Sequence, residues 1–304
     1  MNKKKILIIG GTGFIGQHLT KNCKKKKWLV TCISSSWKNK TKRISGVNYI
    51  KVNIQNKKQL IKKLKNKNFD YAVNLAGYVD HSNSQKTYAS HYMGCKNLVE
   101  ILLKKKLKSF LQMGSSSEYG LNKSPITENS LCNPQTIYGK SKLLASKFLL
   151  KMYKKHKFPA IIFRLFQTYG PSQAENRLIP ITINSCLNNK IFDCSSGKQY
   201  RDFVYIDDLI KAIFLSLNNK RALGQIINVG AGEPIKVKNI INKIKKIVKK
   251  GYPLFGKIKM RKDESKIFYA NIKKANKILG WKPKVKFNKG LKATIISYAR
   301  KQKK

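Results

Sequence analysis

Lys5-Ile6-Leu7-Ile8-Ile9-Gly10-Gly11-Thr12-Gly13-Phe14-Ile15-Gly16 decides how this 304-residue chain is read. An apolar run enters glycines spaced G-x-x-G-x-x-G and passes into helix-compatible residues. The pattern predicts a buried parallel strand, a tight turn, and a helix whose N-terminus faces a diphosphate. Glycines there let the backbone approach the phosphates and let helix and strand pack closely. On this reading Gly10, Thr12, Gly13, Phe14, Ile15 and Gly16 are candidate cofactor-binding residues.

Outward from that turn, strand-like and helix-like segments alternate. Strands are predicted over residues 6–10, 28–34, 47–52, 71–76, 109–113 and 160–165, and helices over 13–25, 55–64, 89–103 and 138–153. This order predicts a doubly wound parallel sheet of the Rossmann type, with ligands beyond the carboxyl ends of its strands. After Phe166 the pattern loosens. Helices are predicted over 178–187, 207–217 and 237–249 and a strand over 225–229, with a helix stop and extended segment at Leu279-Gly280-Trp281-Lys282-Pro283.

Composition narrows the class. Hydrophobic residues make up 41% of the chain, enough for a sizeable core, and no apolar run is long enough to span a bilayer. Met1-Asn2-Lys3-Lys4-Lys5 looks like the start of an export signal, but the apolar run ends at Gly10. A cytoplasmic protein is therefore expected. Six cysteines without a C-x-x-C pair point to reduced thiols. The net charge of +52 raises the question of nucleic acid. However, 58 of the 65 basic residues are lysine, spread from end to end. Together with abundant Asn and Ile this is the mark of AT-rich coding drift, and a nucleic-acid partner is not expected. Against that background the few arginines mark sites needing a planar, bidentate cation.

Two further motifs carry chemistry. Tyr138-Gly139-Lys140-Ser141-Lys142 places Tyr and Lys four apart on one helix face, so an ammonium can approach a phenol and favour its ionised form. Met113-Gly114-Ser115-Ser116-Ser117-Glu118-Tyr119-Gly120 follows a strand and offers hydroxyls to a substrate oxygen.

With these motifs in order, the chain resembles the extended short-chain dehydrogenase/reductase family, specifically its nucleotide-sugar epimerases, dehydratases and reductases. Further likeness lies in Asn74-Leu75-Ala76-Gly77, Arg164-Leu165-Phe166-Gln167-Thr168-Tyr169-Gly170-Pro171, Glu175–Pro180, Gln199–Asp208 and Leu279–Pro283. The resemblance implies a dinucleotide-binding domain over 1–166, with 203–232 returning to it. A smaller nucleotide-sugar-binding domain would comprise 167–202 and 233–304. It implies Tyr138 as general acid/base, Lys142 as its electrostatic partner and ribose ligand, and Ser116 as hydrogen-bond donor to the reacting oxygen, with Ser117 its rival. Asn53, Ile54, Leu75, Ala76, Gly77 and Phe166 would line the cofactor. Ser117, Glu118, Gln167, Arg177, Leu178, Arg201 and Arg261 would face the nucleotide sugar, the last two arginines gripping its diphosphate. For Arg164 a structural role in its strand is preferred. The family often dimerises through helices equivalent to 89–103 and 138–153, so a homodimer is possible. The reading calls for no metal.

Departures narrow the activity. The family's dehydratases place an Asp-Glu pair after the catalytic hydroxyl residue, where this chain has Ser117-Glu118. The likeness then runs to reductases of nucleoside-diphosphate 4-keto-6-deoxyhexoses such as CDP-abequose synthase, with an NAD-retaining C4-epimerase as the alternative. NAD sites usually carry an acid about 20 residues past the glycines, but no acid precedes Asp70 here. Ser34, Ser35 and Lys38 would instead accept a 2′-phosphate, which favours NADP(H) over NAD(H).

Overall fold

The computed structural model describes residues 3–35, 43–78, 80, 83–259 and 265–302. The chain opens with strand β1 (Lys5–Ile9), helix α1 (Phe14–Lys25), β2 (Leu29–Ser34), β3 (Asn48–Lys51), α2 (Lys57–Leu64) and β4 (Tyr71–Asn74). Helices α3 (Ser84–Tyr88) and α4 (Gly94–Leu102) follow, joined without a break by a π-helical turn, Ala89–Met93. Next come β5 (Ser109–Met113), a 3₁₀ turn (Ser116–Glu118), α5 (Ile137–His156) and β6 (Ala160–Leu165).

Strands β1 to β6 and β10 (Ile226–Val229) form a seven-stranded sheet in the order β10-β6-β5-β4-β1-β2-β3, all neighbours parallel. The order reverses between β1 and β4, the crevice where such sheets hold their ligands. Both faces are covered, which explains why β1 reads as a continuous apolar run. Ile6 and Ile8 enter the core with Leu19, Cys23 and Trp28, whereas Leu7 and Ile9 enter a second core with Leu60, Leu98 and Leu149.

The second layer was only partly visible in the sequence. It contains β7 (Gln167–Tyr169), α6 (Leu178–Leu187), β8 (Ile191–Cys194) and β9 (Tyr200–Tyr205). After α7 (Ile206–Leu217) and β10 it adds β11 (Pro234–Lys236), α8 (Val237–Val248), β12 (Tyr252–Phe255), β13 (Ile267–Phe268), α9 (Lys273–Leu279) and α10 (Phe287–Gln302). Strand β9 pairs with β7, β11 and β13, and β8 pairs with β12. The return to the large layer expected at residue 203 therefore starts later: Phe203–Tyr205 stay in the small sheet, and the crossing comes at α7. Trp281 is buried and its indole N–H donates to the Asp208 carbonyl at 3.0 Å. The Asp208 carboxylate accepts the Lys284 and Val285 amides, which stitches the tail to α7.

Candidate active site

The glycine turn closes on backbone alone. Gly10 has φ +82°, its amide donates to Ile33 O at 2.8 Å, and its carbonyl accepts the Gly13 amide at 3.0 Å. A Cβ on Gly16 would lie 2.2 Å from that same carbonyl, so only glycine lets α1 start this close to β1. Gly13 caps α1 with no side-chain hydrogen bond and no acid occupies the first turn. The helix therefore presents unsatisfied N–H groups and the positive end of its dipole, a setting that fits the diphosphate of a dinucleotide.

Around this turn stand the other predicted cofactor residues. Thr12 and Ser34 hydroxyls meet at 2.8 Å at the end of β2, and Ser35 is exposed beside them; Lys38 lies outside the described residues. Asn53 is exposed and its Oδ1 accepts the Gln55 amide at 3.0 Å, while buried Ile54 offers its carbonyl to Asn97 at 2.9 Å. Beyond β4, Leu75 and Ala76 crowd the Gly10 Cα within 3.1 Å of where a Cβ would be. Gly77 follows, and Phe166 packs on Phe268 at 5.4 Å.

Tyr138 and Lys142 sit at the start of α5, which Thr136 caps by accepting the Gly139 amide at 3.1 Å. Lys142 is buried, its ammonium donating to Met113 O at 2.6 Å and standing 5.8 Å from the Tyr138 ring centre. That bond ties the cation to the carboxyl end of β5. A Cβ on Gly139 would come within 2.5 Å of Ser117 O, so α5 abuts the serine turn. Tyr138, Lys142 and the serines are thus brought together at the strand ends.

The serine turn differs from expectation at two residues. Glu118, expected to face the sugar, is fully buried: one oxygen accepts the Ser115 amide at 2.9 Å. The other accepts Arg164 Nε at 2.9 Å and Ser146 Oγ at 2.8 Å. Fully buried and held by these three donors, it serves as a structural acid and not as a substrate ligand. Ser115, absent from the predicted set, caps the 3₁₀ turn by accepting the Ser117 amide at 3.1 Å. Its oxygen is held from inside the turn, which leaves the hydroxyl proton to donate elsewhere. Ser115 and Ser116 are equally buried, each 6% exposed, and Ser117 is half-buried. The signal was present in the sequence: Ser115-x-x-Glu118 is a capping box, which turns the glutamate inward.

The model of the NAD dependent epimerase/dehydratase family matches residues 6–230. This chain is an enzyme of that family. The dTDP-D-glucose 4,6-dehydratase of Dictyostelium discoideum is 32% identical over 270 residues, covering 79% of this chain and 61% of that enzyme. The CDP-abequose synthase of Salmonella muenchen is 28% identical over 217 residues, 59% of this chain and 74% of that enzyme. The UDP-glucuronic acid 4-epimerase of Bacillus cereus, solved with UDP-glucuronic acid and NAD, superposes with a TM-score of 0.87 at 28% identity, covering 98% of this chain and 99% of that one.

In the second layer of this epimerase/dehydratase fold, Gln167 is exposed on β7, Arg177 is exposed at the start of α6 and Leu178 is half-buried. Arg201 is half-buried on β9, with Nη1 donating to Tyr200 O and Ser265 O at 2.7 and 2.8 Å. Arg261 lies outside the described residues. Next to Arg201, the Asp202 carboxylate accepts the amides of Ala231, Gly232 and Ala270, joining β9 to the segments after β10 and β13. Arg164, in β6, lies over the Tyr119 ring at 4.4 Å and backs the serine turn through Glu118. Among the described residues no helix is long and apolar enough to cross a membrane.

Proposed function

We propose that the chain reduces a nucleoside-diphosphate 4-keto-6-deoxyhexose with NADPH, in the making of a deoxysugar for surface polysaccharide. The observation that carries this reading is Tyr138 and buried Lys142 set against a serine turn at the strand ends, beside an uncapped glycine-rich helix start. Bound at that turn, a nicotinamide cofactor supplies hydride for exchange at a sugar carbon. The chain's own residues handle the oxygen. Tyr138 delivers its phenolic proton to the oxygen as it gains charge, and the Lys142 ammonium stabilises the phenolate left behind. A serine hydroxyl of the turn, Ser115 or Ser116, holds that oxygen in place. Arg201 and Arg261 would bind the diphosphate, with Arg177 lining the substrate pocket.

The likeness to CDP-abequose synthase supports a reductase, and the Thr12–Ser34 hydroxyl pair where an acid would select NAD supports NADPH. A 4,6-dehydratase is disfavoured although such enzymes are among the relatives, because Ser117 stands where the acid that expels water would be and Glu118 is committed to Arg164 and Ser146. The second reading is a C4-epimerase that keeps NAD and returns the hydride to the same sugar, supported by the likeness to the Bacillus cereus epimerase over nearly the whole chain. Tyr88, Met93, Leu103 and Leu144, exposed on or beside α3 to α5, support a homodimer.

Nicotinamide absorbance, followed with NADPH or NADH and a panel of these keto-sugars, tests the reading. Stoichiometric loss of NADPH with one of them is the expected result. No net oxidation with any, alongside interconversion of UDP-hexoses without added cofactor, would move the assignment to the epimerase.

A further inference from the structure

The helix running from α3 to α4 contains one irregular turn, and it faces the candidate general acid. Ala89–Met93 is π-helical, an insertion that re-aims side chains and is costly enough that such turns concentrate at functional positions. Two of its side chains are buried, Ser90 and His91, and His91 is the one with a ring. Its ring stands 5.0 Å from the Tyr138 ring at 77°, an edge-to-face contact. A Cβ at Gly77 would fall 2.2 Å from His91 Cε1, so Gly77 is small because the imidazole occupies that space. His91 Nε2 donates to the Tyr78 carbonyl at 3.2 Å, which fixes the ring in its plane. One turn on, Cys95 is fully buried, which raises its thiol pKa, while the nearby Lys142 cation pulls it down. Two pairs spaced four apart, His91/Cys95 and Tyr138/Lys142, therefore face each other across the helix interface.

We infer that His91 is a positioning residue, wedged between Gly77 and Tyr138 to hold the phenol in its reacting orientation. The inference rests on the reading of Tyr138 as general acid. The Tyr138 ring is thus bounded by His91 on one side and by the Lys142 ammonium 5.8 Å from its centre. The other titratable groups near the imidazole are Cys95 on α4, and Tyr78 with Asp80 beyond β4, whose side chains meet at 3.4 Å.

The test uses the full chain labelled with ¹³Cζ-tyrosine, the Tyr138 resonance being assigned by its absence in Tyr138→Phe. In His91→Ala, or in His91→Leu if the alanine variant does not fold, the Tyr138 resonance should move and its titration curve should be displaced. Turnover should fall at least tenfold with KM within twofold. His91→Phe, which keeps a ring in the same space, should restore most of both. A Tyr138 resonance and titration at their wild-type positions in His91→Ala or His91→Leu would overturn the inference, as would a loss that His91→Phe does not repair. If the resonance responds while wild-type protein turns over no nucleotide sugar, the proposed function fails and the positioning contact stands.

Discussion

At the scale of single residues, the site depends on which oxygen of the serine turn is held and which is free. Ser115 has its oxygen anchored by the Ser117 amide, whereas a hydroxyl without such an anchor can rotate. Ser115→Ala is therefore expected to lower kcat by about 10²-fold, on the order of one lost preorganised donor, and Ser116→Ala by less. Steady-state rates with whichever keto-sugar of the panel is turned over decide between them, and a larger loss at Ser116 would return the role to the residue expected from sequence. Beneath the turn, Glu118→Gln leaves the Arg164 guanidinium buried without its counter-charge. Breaking one side of a buried pair costs about 3–5 kcal/mol, to be read as a fall in unfolding free energy in urea. An unchanged midpoint would show that the pair is not what holds the turn. The Glu118 pairing was legible as S-x-x-E, but the partner 46 residues away was not, because a capping box names the inward residue without naming what it meets.

At the scale of elements, the glycine turn and the Asp202 clamp each hold two segments at one distance. Gly16→Ala places a methyl 2.2 Å from the Gly10 carbonyl, so α1 must move outward and its N–H groups leave the diphosphate. Dinucleotide affinity, measured by quenching of protein fluorescence, should drop at least tenfold while the fold persists. Asp202 behaves differently. Burial raises its carboxyl and the three backbone amides lower it, and the balance is about 6. Because this value lies above the roughly 3.9 of an unfolded Asp, its contribution is complete below pH 4 and is lost as pH rises through 6. The loss is up to roughly 3 kcal/mol. The stability of the wild type relative to Asp202→Asn should accordingly decline between pH 4 and 6, as followed by thermal melts. A flat difference across that window would show that the amides, not burial, set the state of the carboxyl. Helices and strands of the first layer were readable because each buries a face at its own period. The π-turn at Ala89–Met93 was not, since an inserted residue leaves the apolar spacing nearly intact and reveals itself only in where His91 points.

Across the whole molecule, the net charge of +52 acts as one self-repelling field. Few of its cations are neutralised: the ion pairs of Lys57, Lys108 and Lys301 are largely exposed, and such pairs contribute little. Raising salt from 50 to 300 mM shortens the screening length and should raise the melting temperature by several degrees. KM for an anionic nucleotide sugar should rise over the same range as steering is lost. A melting temperature independent of salt would mean that the lysines are spaced widely enough to ignore each other. The sequence by itself determined the doubly wound sheet, the glycine turn and the Tyr138–Lys142 pair, because each is written in spacings of a few residues that backbone geometry converts directly into structure. Only the tertiary structure decided the small sheet around β9, the inward turn of Glu118 and the seating of His91 on Tyr138. Those depend on contacts between segments tens of residues apart, whose partners are chosen by packing and not by any local period.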